Sequence, residues 1–118
     1  MKIDKFPFTI LDWADKEVTE RDGVTGKTTS RIFFMGDIRI RMVEYSAGYL
    51  ADHWCEKGHV VHCLEGDFIT ELKTGEKTKL HKGESYVVSD NLSSHRSYSE
   101  NGVKLLIVDG EFLKWFST

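Results

Sequence analysis

The chain has 118 residues, of which 40% are hydrophobic and 30% charged, the balance of one globular core and too little apolar material for two. Sixteen Lys and Arg stand against 19 Asp and Glu, for a formal charge of -3 and a pI near 5.9. No global basic field draws such a chain to phosphate backbones, so nucleic acid is not an expected partner. Nor does any apolar run approach the roughly eighteen residues of a membrane helix. The expectations are no membrane association, a cytoplasmic location, and reduced cysteines at Cys55 and Cys63.

The first expected element is a strand around Phe6, Phe8 and Ile10, which alternate with other residues instead of forming the apolar centre of a signal peptide. Beyond it, ten glycines and a single proline, Pro7, punctuate short β-rich runs at spacings of roughly ten residues, the rhythm of an all-β sandwich or barrel. Strands are predicted over residues 31–35 and 38–45, flanking Gly36-Asp37. In the second, Ile38, Ile40 and Met42 alternate with Arg39, Arg41 and Val43, which predicts one wet face. Arg39, Arg41 and Glu44 are accordingly read as surface charges. Further strands are expected over 49–55, 59–64, 68–73, 77–80, 85–88, 96–99 and 103–108. Residues 111–116 fit either a final helical turn or a strand.

His53 and Cys55 lie two apart on a predicted strand, so their side chains leave the same face. Glu56-Lys57-Gly58 suits a tight hairpin turn. That hairpin sets Cys55 opposite His59 and His53 opposite Val61, with paired Cβ atoms about 4.5–5.5 Å apart. At metal–ligand bond lengths of about 2.0–2.3 Å, a thiolate and an imidazole so placed can share one metal. The same register carries Cys63 roughly 13 Å away, too far for a disulfide. Val61 and Cys63 share the face of His59 and predict a partly apolar interior there. His62 alternates to the other face with Val60 and Leu64; that face is apolar enough for a dimer interface, with plain packing as the alternative. Tyr45, Tyr86, Arg96 and Tyr98 are candidates for a barrel mouth, or else ordinary strand residues, and His81 is expected in solvent.

Gly48, His53-x-Cys55, His59 and Gly66 together resemble the first motif of the cupin superfamily, with Cys55 where that motif has its second histidine and His59 where it has a glutamate. Gly83 and His95 resemble the second motif, His95 falling one residue late and Ser89 and Asn91 replacing its usual proline and glycine. The run Asp52-His-Trp-Cys55 is similar to that of small bacterial cupins named for an Asp-His-Cys-Trp motif, with the last two residues exchanged. The resemblance runs on through Pro7-Phe8-Thr9, Gly36-Asp37-Ile38-Arg39, Met42-Val43-Glu44-Tyr45 and Ser94-His95-Arg96. It implies one domain over residues 1–118, a double-stranded β-helix (jelly-roll barrel) of two antiparallel sheets, and a homodimer. It implies no settled activity.

The expected metal ligands are therefore His53, Cys55, His59 and His95. A thiolate with three imidazoles suits one divalent transition metal, zinc above all, with iron or nickel as alternatives, and does not suit magnesium or calcium. Four protein ligands on tetrahedral zinc make a closed structural site, whereas a six-coordinate ion keeps positions free for a small-molecule ligand. Two functions follow. One is a metal-dependent enzyme acting on a small organic substrate, of isomerase, lyase or dioxygenase type. The other is a non-catalytic small-molecule or metal-binding module. Fold alone does not choose between them.

Overall fold

The computed structural model describes residues 5–114. Nine strands run through them in chain order: β1 (Thr19–Asp22), β2 (Lys27–Met35), β3 (Ile38–Tyr45), β4 (Tyr49–Leu50), β5 (His59–Leu72), β6 (Lys77–His81), β7 (Ser85–Val88), β8 (His95–Ser99) and β9 (Val103–Asp109). All pairings are antiparallel. The described residues hold no α-helix, only single 3-10 turns at Trp13–Asp15 and Glu111–Leu113, and no helix long and apolar enough to cross a membrane.

Two runs expected as separate strands, 59–64 and 68–73, are one 14-residue strand, β5. Its first half pairs with β9 on one side and β7 on the other. Its second half pairs with β8 and β6. β5 thus belongs to two sheets, ordered β1-β2-β3-β9-β5-β7 and β4-β8-β5-β6. The change of sheet occurs at a bulge between Cys63 and Glu65, directly before Gly66. Gly66 has φ +78, and a Cβ there would stand 2.5 Å from the Gly102 carbonyl oxygen. Only glycine fits a left-handed residue pressed against a neighbouring backbone.

The core lies between the two sheets. Val43, Val61, Cys63, Val103, Leu105 and Ile107 come from the first, and Phe68 and Leu80 from the second. β9 alternates strictly, burying Val103, Leu105, Ile107 and Asp109, and β5 buries His59, Val61 and Cys63 as expected. Phe68 meets the Tyr45 ring edge-on at 6.1 Å.

Three expectations need correction. Residues 5–10 form no strand: Phe8 is 95% and Ile10 78% exposed, because no strand among the described residues takes up their backbone. Residues 49–55 keep strand form only at Tyr49–Leu50, and they do not form a hairpin with β5; β4 pairs with β8 instead. Third, β3 is turned over. Arg39 and Arg41 line the interior with Val43, while Ile38, Ile40 and Met42 lie half-buried on the outer face. Register explains the inversion: Arg39 lies directly across from buried Asp109, which neutralises charge that the interior would otherwise reject. Glu44 is exposed, as expected. Of residues 111–116, Glu111–Leu113 is the 3-10 turn and 115–116 lie outside the described residues.

Gly66→Ala should destabilise the protein by at least about 1–3 kcal/mol, the cost of forcing a side chain into left-handed backbone. Urea denaturation measures it, and an unchanged midpoint would mean that the bend in β5 tolerates a side chain.

Candidate metal centre

Cys55 reaches the site through the loop before β5. Beyond β4 the chain still follows β8: Ala51 N–H donates to the Ser97 carbonyl at 3.1 Å, Cys55 N–H donates to the His95 carbonyl at 2.7 Å, and His95 N–H donates back to Cys55 at 3.1 Å. Between those contacts the 49–55 segment advances four residues while β8 advances two. The surplus is a bulge, Asp52–Trp54. It breaks the period of two on which a shared face for His53 and Cys55 depends. His53 accordingly stands 60% exposed, its Nδ1 bonded to Asp52 Oδ1 at 2.7 Å. Trp54 stacks on the Arg96 guanidinium at 4.7 Å.

His59 opens β5, held by its neighbour Gly58. The Gly58 N–H donates to Asp90 Oδ1 at 2.6 Å, and a Cβ at Gly58 would lie 2.5 Å from the Val88 carbonyl oxygen. His95 opens β8. Three of the four expected ligands are thereby brought together: one ligand atom from each of Cys55, His59 and His95 lies within 4.8 Å of the others. Cys55 Sγ is 3.5 Å from His59 Nε2, and the His59 and His95 rings meet edge-on at 5.5 Å. His53 stays outside this group, on the wall of the same cavity.

Each imidazole is oriented from behind. His59 Nδ1 lies 3.1 Å from Asp109 Oδ2 and His95 Nδ1 lies 2.8 Å from the Ser93 carbonyl. Carboxylates and carbonyls only accept, so both Nδ1 atoms carry the proton and Nε2 is the nitrogen left for a ligand. A hydrogen-bonded second nitrogen of this kind accompanies almost every metal-binding histidine. Burial opposes ionisation of Cys55, but hydrogen bonds with His59 and His95 outweigh it and bring the thiol down to about 5. A thiolate at neutral pH is the form that binds metal. Burial works against protonated His95, and hydrogen bonding to Cys55 and Ser93 overcomes it, raising that imidazole.

Behind His59 lies Asp109, which was not among the expected site residues. Asp109, 2% exposed at its side chain, accepts four hydrogen bonds: from Arg39 Nε at 3.0 Å, an Arg39 terminal nitrogen at 2.8 Å, an Arg41 terminal nitrogen at 3.2 Å and His59 Nδ1 at 3.1 Å. Burial would raise its carboxyl, yet these bonds and both guanidinium charges hold it well below the usual carboxylate range. The signal available was the alternation of β9, which places Asp109 on the same face as Val103, Leu105 and Ile107.

The site opens on a cavity of about 520 Å³. Of the four candidates for the barrel mouth, Tyr45, Tyr86 and Arg96 line it, while Tyr98 faces a separate groove. Burial pushes the Tyr45 hydroxyl up to about 12 and raises Tyr86 as well, so both keep their protons at neutral pH. Both cysteines are free. Cys63 lies in the core, while His62 bonds Ser85 at 2.7 Å and His81 bonds Glu84 at 2.8 Å on the surface.

No known family profile matches the chain, and no curated protein sequence matches it. Solved structures do. A polyketide cyclase from Streptomyces resistomycificus superposes with a TM-score of 0.72 at 19% identity, over 88% of this chain and 80% of that one. Ectoine synthase from P. lautus gives 0.68 at 19%, over 87% and 78%. A cupin-2 domain from Rhodospirillum rubrum gives 0.69 at 14%, over 91% and 78%. The fold is that of the cupins. At these identities the likeness extends to the fold alone. The chemistry of this barrel lies in the chain's own side chains.

Asp109→Asn removes the negative charge shared by Arg39, Arg41 and His59. Breaking a buried pair costs about 3–5 kcal/mol; with the arginines 29% and 20% exposed, a loss at the low end of that range is expected in urea denaturation. A loss below about 1 kcal/mol, the worth of a surface pair, would show that solvent already screens the cluster.

Proposed function

We propose that the protein is a metal-dependent enzyme acting on a small organic substrate, with one divalent transition metal held by Cys55, His59 and His95. The observation that carries this reading is the convergence of one thiolate and two back-bonded imidazoles on the wall of a 520 Å³ cavity. A structural site has no use for such a space, whereas small-molecule sites are clefts of about 300–1,000 Å³ with a few polar groups. Sulfur and nitrogen donors favour zinc, with iron or nickel next. A metal bound there would supply Lewis acidity toward an oxygen of the substrate. The protein's own contribution is positional. Asp109 and Ser93 fix the imidazoles, and the Tyr45 and Tyr86 hydroxyls remain protonated in the cavity wall as hydrogen-bond donors.

His53 is proposed as an exchangeable fourth ligand. Its Nδ1 is taken by Asp52, so Nε2 is free in the same way as in the other two histidines. It rides on the Asp52–Trp54 bulge, and a turn of that bulge is what would bring it inward. The same run, Asp52-His53-Trp54-Cys55, is what suggests kinship with the Asp-His-Cys-Trp cupins. Isomerase, lyase and dioxygenase chemistries all suit an open position beside a cavity. The second reading, a structural zinc-type site, gains only if His53 closes the shell.

Elemental analysis of protein purified without added metal should find about one transition metal per chain, and its absence would overturn the proposal. Cys55→Ala, His59→Ala and His95→Ala should each lose the metal. Asp109→Asn should bind it about 10–100-fold more weakly, the usual effect of losing an outer-shell partner. His53→Ala should retain it. If His53→Ala instead empties the site and lowers the melting temperature as far as Cys55→Ala does, the shell is closed and the structural reading replaces the enzymatic one.

A further inference from the structure

The chain carries a net negative charge, but its cavity does not. Arg21, Arg39, Arg41, Lys57 and Arg96 line it against two aspartates. Most of these cations are exposed or already paired. Arg39 takes both oxygens of Asp109, and Arg96 donates to Glu71 at 2.8 Å. Arg41 is different. It shares one oxygen of a carboxylate that Arg39 already neutralises, at 3.2 Å, and its Nε is buried with no hydrogen-bond partner among the described residues. Arg96 Nε is likewise unpartnered, but the charge of Arg96 is met by Glu71. Two guanidiniums share one carboxylate, so one of them has no carboxylate of its own. The Cys55 thiolate lies in the same cavity but is bonded to His59 and His95, not to Arg41. A half-buried cation without a direct partner of its own is costly. Burial and the like charge of Arg39 lower Arg41 from its usual range, against the pull of Asp109.

We infer that Arg41 is the anchor for the carboxylate of an anionic small-molecule substrate, which the cavity admits between Arg41 and the Cys55–His59–His95 cluster. One guanidinium without a carboxylate of its own matches a monoanion. The apolar wall beside it, Val43, Val61, Leu105 and Ile107, favours a carboxylate on a short carbon chain over a strongly hydrated phosphate dianion. The distance to the metal cluster is short, because Arg41 and His59 Nδ1 bond the same oxygen of Asp109. Arg41, Cys55, His59 and His95 line the same cavity, so a substrate whose carboxylate sits on Arg41 shares that space with the cluster. Arg41 is a binding and specificity residue in this assignment, and it deepens the enzymatic reading without depending on metal for its own test.

The test follows the Arg41 Nε–H resonance in 15N-labelled full-length protein, metal-stripped and zinc-loaded in parallel, during titration with propionate, propionamide and inorganic phosphate. Propionate should shift that resonance saturably in both forms. Propionamide, isosteric and neutral, should bind at least ten-fold more weakly, and phosphate more weakly than propionate. Arg41→Met, which leaves the Arg39–Asp109 pair balanced, should weaken propionate at least ten-fold. Arg41→Lys keeps the charge without the Nε donor and serves if the methionine variant does not fold; it too should weaken propionate. Equal binding of propionamide, tighter binding of phosphate, a stationary Arg41 resonance, or unchanged propionate affinity in a folded Arg41 variant each overturns the assignment. Metal content is read separately. A protein that carries no metal as purified and takes up no added zinc, yet binds propionate through Arg41, would sink the metal proposal and leave this one standing.

Discussion

The Asp109 carboxylate lies at the inner end of β9, out of water, and would be intolerable there alone; withdrawing an ion from solvent costs several kcal/mol unless partners meet it with good geometry. Here β3 supplies Arg39 in direct cross-strand register and Arg41 two residues along, and β5 supplies His59. One buried anion thus joins three adjacent strands of the larger sheet. It decides which face of β3 points inward, because the arginines must reach it. It also sets the tautomer of His59, because a carboxylate held ionised can only accept. The candidate metal centre and the charge of the cavity both descend from this one group.

The site is assembled from pieces with different local causes. His59 begins a strand that a glycine lets approach the backbone of residues 88–90. His95 begins another. Cys55 belongs to neither, and is tied to His95 by a pair of backbone hydrogen bonds where its own strand has already ended. The bulge that separates it from Ala51 has a chemical consequence: it takes His53 away from the thiolate and leaves one side of the cluster facing the cavity. A straight strand through residues 49–55 would have aimed both side chains the same way.

Charge is distributed against the overall composition. Acidic residues dominate the chain as a whole, while the cavity wall is predominantly basic. An electropositive cleft in a low-dielectric wall concentrates anions regardless of net charge. The neighbours of known structure include a synthase and a cyclase, and the likeness to them extends to the barrel. What distinguishes this barrel chemically is the combination of a thiolate-bearing cluster with a half-answered guanidinium pair.

The all-β class, most strand positions and the residue types of the site were legible in the amino-acid order itself. Glycine spacing and period-two alternation are local properties, and local steric rules act on them before any tertiary contact forms. Ile38–Tyr45 and Ser85–Val88 were bounded to the residue, and the shared face of His59, Val61 and Cys63 followed from their spacing. Tertiary structure alone decided the rest. Alternation in Ile38–Val43 says that two faces differ, not which one is inside; a carboxylate seventy positions away made the arginine face the inner one. Spacing placed His53 with Cys55, and a mismatch of two residues against β8 parted them. Joining residues 59–64 and 68–73 into one bent strand required two different partners on its two halves. In each case the deciding contact lies far along the chain, between groups whose register no local pattern encodes.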